Sequence, residues 1–397
     1  MWTWSCTVKR ATFWLTSSSH STHSSKGRRS QERRPLLCLS RAKLSAKGEH
    51  VGQGWGLAAL SVIAIAVMIA AIMVVYSRML PAGAPIGVSL ACVAVGTVTW
   101  LAVTIILRPA LPAELVAPIA ALGGLAALLA TIVPRAFGAG APGSVAFAAI
   151  WSLLVFVPVA WLSFSGLGPF GVRPIDQGGS LAINVAAGAA AVGVLVSGGA
   201  GAPRLRPSAV PRGFATVGVI LLTLGWIGWL VGAELAIDDL TPGILINGAF
   251  AAGGGVVGWL VVQRIRHQST TLSAVAAGIV SGLVGVSAGA PMYGAPAAFV
   301  VGIIASASAC LFTLRRVGDT RRQQWFIVGS HLIAGAVGLV ALGLFANDLG
   351  FLFTGQYVFV RDQVICCILA TGWSMGVAAL LWVVLRRRGD RTPRSAS

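Results

Sequence analysis

The chain has 397 residues, of which only 10% are charged and 56% are hydrophobic, with a mean hydropathy of +0.85. Ordinary globular domains carry about 25% charge, so a soluble reading fails, and apolar runs of about 20 residues, enough to cross ~30 Å of hydrocarbon as helix, define a polytopic membrane protein. Fifty glycines without a three-residue period exclude collagen, and six scattered cysteines, four of them in apolar runs (Cys92, Cys310, Cys366, Cys367), offer neither a disulfide framework nor a CxxC metal site.

The first 50 residues differ in kind from the rest. They carry ten Lys+Arg and two acids, hold all four lysines (Lys9, Lys26, Lys43, Lys47) and contain a Ser/Thr/His tract from Thr16 to Ser25, without the apolar h-region of a signal peptide. This segment, 1–50, reads as a disordered basic tail. It is either an arm for anionic lipid or nucleic acid or the product of a start codon assigned too far upstream. Residues 51–385 read as one membrane domain and 386–397 as a second, short basic tail.

From Trp55 onward eleven spans are expected, near 55–76, 86–107, 116–133, 145–164, 180–198, 214–233, 243–262, 271–289, 295–314, 325–346 and 363–385. None of these windows contains Asp, Glu, Lys or Arg, as a cost of about 2.5–3.5 kcal/mol per mid-membrane charge demands. Gly and Ala abound, including the pair Gly278 and Gly282, so helix backbones are expected to approach closely. An odd number of spans puts the termini on opposite sides. With the C-terminus in the cytoplasm, sixteen of the nineteen arginines beyond residue 50 lie inside, and only Arg108, Arg173 and Arg361 lie outside. The expected orientation is therefore N-out and C-in. Lysine confined to the tail of an Ala/Gly/Arg-rich chain points to a high-GC bacterium and hence to its plasma membrane.

Of the five histidines only His331 falls within a span. An imidazole at that depth either passes protons or ties two helices by hydrogen bonds. An internal comparison adds weight to the first reading. The fifth span contains Asn184-Val-Ala-Ala-Gly188 and the tenth His331-Leu-Ile-Ala-Gly335, each a strong polar side chain with Gly four residues on, one turn along the same face. Their places, last of spans 1–5 and last of spans 6–10, fit two inverted five-helix repeats followed by one extra C-terminal helix. Such architectures put their pathway at the repeat interface, where Asn184 and His331 are expected to meet.

Longer motifs carry a family likeness: Leu154-Leu-Val-Phe-Val-Pro-Val-Ala160, Asp176-Gln-Gly-Gly-Ser-Leu-Ala-Ile-Asn184, Leu224-Gly-Trp-Ile-Gly-Trp-Leu-Val-Gly232, Ala277-Gly-Ile-Val-Ser-Gly-Leu-Val-Gly285, and His331-Leu-Ile-Ala-Gly-Ala-Val-Gly338 through Gly343-Leu-Phe-Ala346. In order, spacing and topology the chain resembles the ammonium transporter family (Amt/Mep/Rh) over roughly residues 55–385. The resemblance implies a homotrimer with one pore per subunit, in which ammonium gathers at an outer aromatic vestibule, gives up a proton and crosses a narrow apolar pore lined by two histidines.

Carried over by position, the second pore histidine falls on His331 and the first on Asn184, which cannot take up a proton, so a two-histidine relay is not available. The vestibule tryptophan falls on Phe164 and its neighbouring serine on Ala233; one gating phenylalanine falls on Trp229 and the other near Gly123. On their own, Phe164 and Trp229 would read as packing or lipid-belt aromatics. Asp176 keeps the family's acidic residue at the start of the fifth helix, where it would cap the helix, and Asn247 matches a structural asparagine. An aspartate five residues before the second histidine is Phe326 here. The family also implies a P-II-type regulatory protein on the cytoplasmic face.

The leading expectation is an ammonium or ammonia transporter with an altered relay. Its rivals are a non-conducting sensor or assembly partner of the same fold, and a pore for another small neutral molecule. No span carries paired carboxylates, no nucleophile has a plausible base beside it and no phosphate-cradling loop is present: Gly253-Gly-Gly255 lacks the Lys and Ser/Thr of a P-loop. An enzyme is not expected, nor are a cofactor, a metal site or nucleic-acid binding.

Overall fold

The computed structural model describes residues 36–80, 84–107, 111–166, 168–198, 211–315 and 321–389. The Thr16–Ser25 tract, Arg108, Arg204, Arg206, Arg316 and residues 390–397 lie outside the described residues. The chain divides into two compact units, Met1–Gly48 and Glu49–Ser397. In the first, the described part is helical from Leu36 onward, so residues 36–50, expected in the tail, are the start of a helix.

Every described element is helical, with no strand among the described residues. The apolar helices are α1 (Leu36–Val75), α2 (Ile86–Leu107), α3 (Ala113–Ala136), α4 (Ala141–Ser165), α5 (Leu181–Ser197), α6 (Arg212–Gly232), α7 (Thr241–Ile265), α8 (Leu272–Val286), α9 (Ala295–Leu314), α10 (Gln323–Phe345) and α11 (Val358–Gly389). Nine of these contain an apolar stretch long enough to cross a membrane, while α5 and α8 are shorter. α5 matches its expected window to within one residue at each end, while α8 stops at Val286, three residues before its window does. Between the helices, the segments 176–179 and 287–289 bond each other: Gln177 N donates to Ala288 O at 2.9 Å and Gly178 N to Ser287 O at 3.0 Å.

Large side chains such as Ile63, Val98, Ile105, Ile106 and Phe214 remain 60–75% exposed on the outside of the bundle, the surface a lipid tail solvates and water does not. Inside, the glycines set helix spacing. Gly218, Gly225 and Gly232, one every seven residues on α6, all face α1: a Cβ on Gly225 would come within 2.7 Å of the Ala64 carbonyl oxygen, and one on Gly232 would collide with Ser61 Oγ. The Gly278 and Gly282 pair makes the close approach its spacing predicts, against the backbone of Gly255 and Ala251 on α7.

Three helices contain a π-helical turn: α4 at Ser152–Phe156, α5 at Leu181–Val185 and α10 at Val328–Ile333. The last two hold Asn184 and His331, each as the fourth residue of its turn. The glycines one turn further on are reciprocal. Gly188 lies against the Leu332 backbone beside His331, and Gly335 lies against Asn184 and Val185. A side chain at either position would push the two polar residues apart.

Candidate functional site

Asn184 and His331 are 1% and 0% exposed, and they touch: His331 Nδ1 lies 2.8 Å from Asn184 Oδ1. The other ring nitrogen, Nε2, lies 2.7 Å from the hydroxyl of Tyr76, just past the end of α1. An amide oxygen only accepts, so Nδ1 donates, Nε2 of the neutral ring accepts, and the Tyr76 O–H donates to it. Among the described residues no carboxylate forms an ion pair with the ring. Three helices that are distant in sequence thus converge on one hydrogen-bonded row.

On one side of this row lies a small apolar cavity. Its walls are Met68 and Ile72 of α1, Leu125 and Leu129 of α3, Gly178, Ile183 and Asn184, and Trp226 and Trp229 of α6. Asn184 is its only side chain with an amide. His331 stands behind Asn184 and does not line it. Trp229 is fixed in this wall: it is 1% exposed, its indole N–H donates to Gly178 O at 3.0 Å, and its ring meets Phe164 edge-on with centroids 6.5 Å apart. Phe164 is held against Gly179, whose φ of +71° only glycine adopts at no cost and whose missing Cβ leaves room for the ring. Trp226 is fixed by an N–H bond to Ser287 Oγ at 2.8 Å.

At the Tyr76 end of the row aromatic rings pack in succession. Tyr76 packs on Phe326 at 6.0 Å, and Phe326 on Trp259 at 5.9 Å. Where the resemblance places an aspartate, this end of the bundle carries an apolar aromatic.

The remaining expected residues are placed as follows. Asp176 is 2% exposed and accepts three hydrogen bonds, from Ser180 N at 2.6 Å, Leu181 N at 2.8 Å and Ser163 Oγ at 2.7 Å. It fastens the start of α5 to the end of α4. Burial pushes its pKa up to about 6, against these three bonds, which pull it down. Asn247 ties α7 to the segment after α8 through Nδ2–H bonds to Ala290 O and Tyr293 O at 2.8 and 2.7 Å. Ala233 caps the C-terminal end of α6, its N–H bonded to Trp229 O. Gly123 does not reach the cavity; it packs on Gly96 of α2 and on the ring of Phe156, so Leu125 and Leu129 are the α3 residues that face it.

Sequence reasoning missed Tyr76, Trp226 and the α1 and α3 walls. Trp226 sits in the quoted Leu224–Gly232 motif. Tyr76, one of three tyrosines in the chain, had one signal, a lone phenol at the end of an apolar run.

Residues 141–390 match the profile of the Ammonium Transporter Family, and this chain, all-helical and with the buried polar pair above, belongs to that family. A putative ammonium transporter of Methanothermobacter thermautotrophicus is 28% identical over 262 residues, 62% of this chain and 63% of that protein. Ammonium transporters of Bacillus subtilis and Mycobacterium tuberculosis are each 29% identical, over 55% and 50% of this chain and 56% and 44% of theirs. The chain thus matches between about half and under two-thirds of the length of these curated relatives. Among solved structures, Candida albicans Mep2 aligns with a TM-score of 0.71 at 16% identity over 85% of both chains. A protein titled Sensor Amt Protein aligns at 0.70 and 15% identity, over 88% of this chain and 100% of that one. At such identities these likenesses show the fold.

Proposed function

We propose that the protein conducts ammonium nitrogen across a bacterial plasma membrane, one pore per subunit of a homotrimer, by a relay altered from that of its relatives. The observation that carries this reading is the Asn184–His331 contact, fully buried at the base of an apolar cavity and set in matching π-helical turns of α5 and α10. π-Turns concentrate at functional sites because they re-aim a side chain at the cost of a backbone bond. The matching turns and the reciprocal Gly188 and Gly335 packing support two inverted five-helix repeats, α1–α5 and α6–α10, with α11 added, eleven spans in all. The arginine bias supports N-out and C-in, which makes the Phe164 end the outer vestibule and the Tyr76 end the cytoplasmic one. A P-II-type regulator would then meet the arginine-rich cytoplasmic loops. In this reading Phe164, Trp229 and Ala233 form the vestibule and gate, Asn184 and His331 the pore, and Asp176 and Asn247 brace it.

Uptake of ammonium or methylammonium by proteoliposomes holding the full chain, with current recorded, tests this. Flux is expected in the wild type and not in His331→Ala, and Asn184→His is expected to gain current by restoring a second proton acceptor. Unchanged uptake in His331→Ala would remove the pathway from this site.

A second reading has an observation in its favour. The cavity is small, and the hydrogen-bonded His331 and Tyr76 lie beyond Asn184 without lining it, as suits a protein that binds ammonium without passing it, and one solved structure of this fold is titled a sensor. Binding by well-folded protein with no flux in any variant would establish that alternative.

A further inference from the structure

We infer that Ser374, on α11, is a positioning residue of the pore: its hydroxyl clamps the far end of the π-turn in α5 and so holds Asn184 on His331, which rests on the transport reading of that site. Asn184 is the fourth residue of the turn Leu181–Val185. A π-turn carries one residue more than an α-helical turn, and losing it would rotate one flank of the helix against the other by about 100°. The start of this turn is fixed by Asp176, whose carboxylate takes the N–H groups of Ser180 and Leu181 while bonded to Ser163 of α4. The end is Ala186. Its N–H bonds back to Leu181 O, five residues earlier, which closes the turn, and its carbonyl accepts from Ser374 Oγ at 2.6 Å. Asn184 lies between these two fixed ends.

Ser374 is 0% exposed, and its hydroxyl is used in both senses, since it also accepts from Trp151 Nε1 at 3.1 Å. Trp151 immediately precedes the π-turn of α4. One hydroxyl therefore joins the residue before one π-turn to the residue after another. The adjacent Trp373 makes a different bond. Pro158 has no N–H for the Leu154 carbonyl four residues before it, and Trp373 Nε1 donates to that carbonyl at 2.6 Å. Both side chains tie α11 to the bundle, but only the bond from Ser374 reaches the turn that carries Asn184. Without the hydroxyl the Ala186 carbonyl loses its partner on α11. The turn is then free to relax to α-helix, which takes Asn184 away from His331 Nδ1 and out of the cavity wall.

The test uses full-length protein with 15N-labelled histidine in lipid bilayers, the His331 signals being those lost in His331→Ala. Ser374→Ala is expected to move these signals to where Asn184→Ala puts them, and Trp373→Phe to leave them at the wild-type position. Methylammonium uptake by proteoliposomes gives a second readout. Because Asn184 lines the cavity, displacing it should raise KM, about tenfold for the worth of one hydrogen bond, whereas a loss of folded protein lowers the maximal rate alone. Ser374→Ala should therefore raise KM, and Trp373→Phe should lower only the maximal rate. Ser374→Cys keeps a weak donor in place and should shift signals and KM the same way by less; it stands in should Ser374→Ala fail to fold. His331 signals unmoved in both Ser374 variants, or moved as far by Trp373→Phe, would overturn the inference while leaving transport standing. Signals that move as expected in protein without flux would instead sink the transport reading and leave the clamp on Asn184 in place.

Discussion

Asp176 shows how one residue can serve the site without touching it. Both carboxylate oxygens are occupied at the joint between α4 and α5, which fixes where the π-turn bearing Asn184 begins. Holding a carboxylate out of water has a consequence for pH. The folded-state pKa is raised from 3.8 to about 6, desolvation by burial outweighing the three hydrogen bonds. For an acid with a raised pKa the folded state binds the proton more tightly, so the associated stability is fully present below 3.8 and is lost as pH rises through about 6. The loss is of order ~3 kcal/mol at ~1.4 kcal/mol per unit. The apparent thermal midpoint of the wild type, followed by tryptophan fluorescence in detergent, should therefore rise relative to that of Asp176→Asn as pH falls from 7 to 5. A difference that stays flat or moves the other way would show that the carboxylate is ionised throughout this range.

At the level of whole helices, the run Gly253-Gly-Gly255 on α7 separates packing from propensity. Gly255 faces the Gly278 carbonyl on α8 and Gly254 the Phe299 carbonyl on α9, while Gly253 meets nothing within 4 Å. Gly255→Leu must push two backbones apart, so a loss of about 1–3 kcal/mol or more is expected. Gly253→Ala should be neutral, and the two midpoints compared side by side check both. That contrast also explains what the sequence made readable. Apolar length and punctuation by Pro, Gly and Arg placed the nine described helices long and apolar enough to cross a bilayer, which enforces both. The meeting of Asn184 and His331 was readable from two five-residue patterns. Neither π-turn left a compositional mark, since an extra residue in a Gly/Ala helix looks like any other. α1 began at Leu36 rather than near Trp55 because charge and Ser content mask helix in a segment that lacks an apolar face. Tyr76 and the cavity walls from α1 and α3 lie outside the matched residues 141–390, where no motif guided the reading and only the fold brings them to the pair.

For the whole molecule the open quantity is direction across the bilayer, on which the roles of Phe164 and Tyr76 both depend. The proposed orientation makes the loops after α4 and α6 external and the loop after α7 cytoplasmic. Each offers an exposed reporter: Phe170, 91% exposed in the loop after α4, Asp238 in the loop after α6, and Arg266 at the end of α7. Native background is small, because Cys92, Cys310, Cys366 and Cys367 are all buried; Cys6 and Cys38 can be replaced by serine. In intact cells an impermeant maleimide should label Phe170→Cys and Asp238→Cys at once and Arg266→Cys only after permeabilisation. The physical basis is the cost of translocating arginine-rich short loops, which acids opposite them do not offset. Reversed labelling would invert the molecule: the Tyr76 row would then face the outside, Trp229 and Phe164 would guard the cytoplasmic exit, and the cavity would fill from the cell interior. Labelling of the two loops after α4 and α6 from opposite sides would be more damaging, since it would break the alternation between α4 and α6 on which the inverted repeats depend.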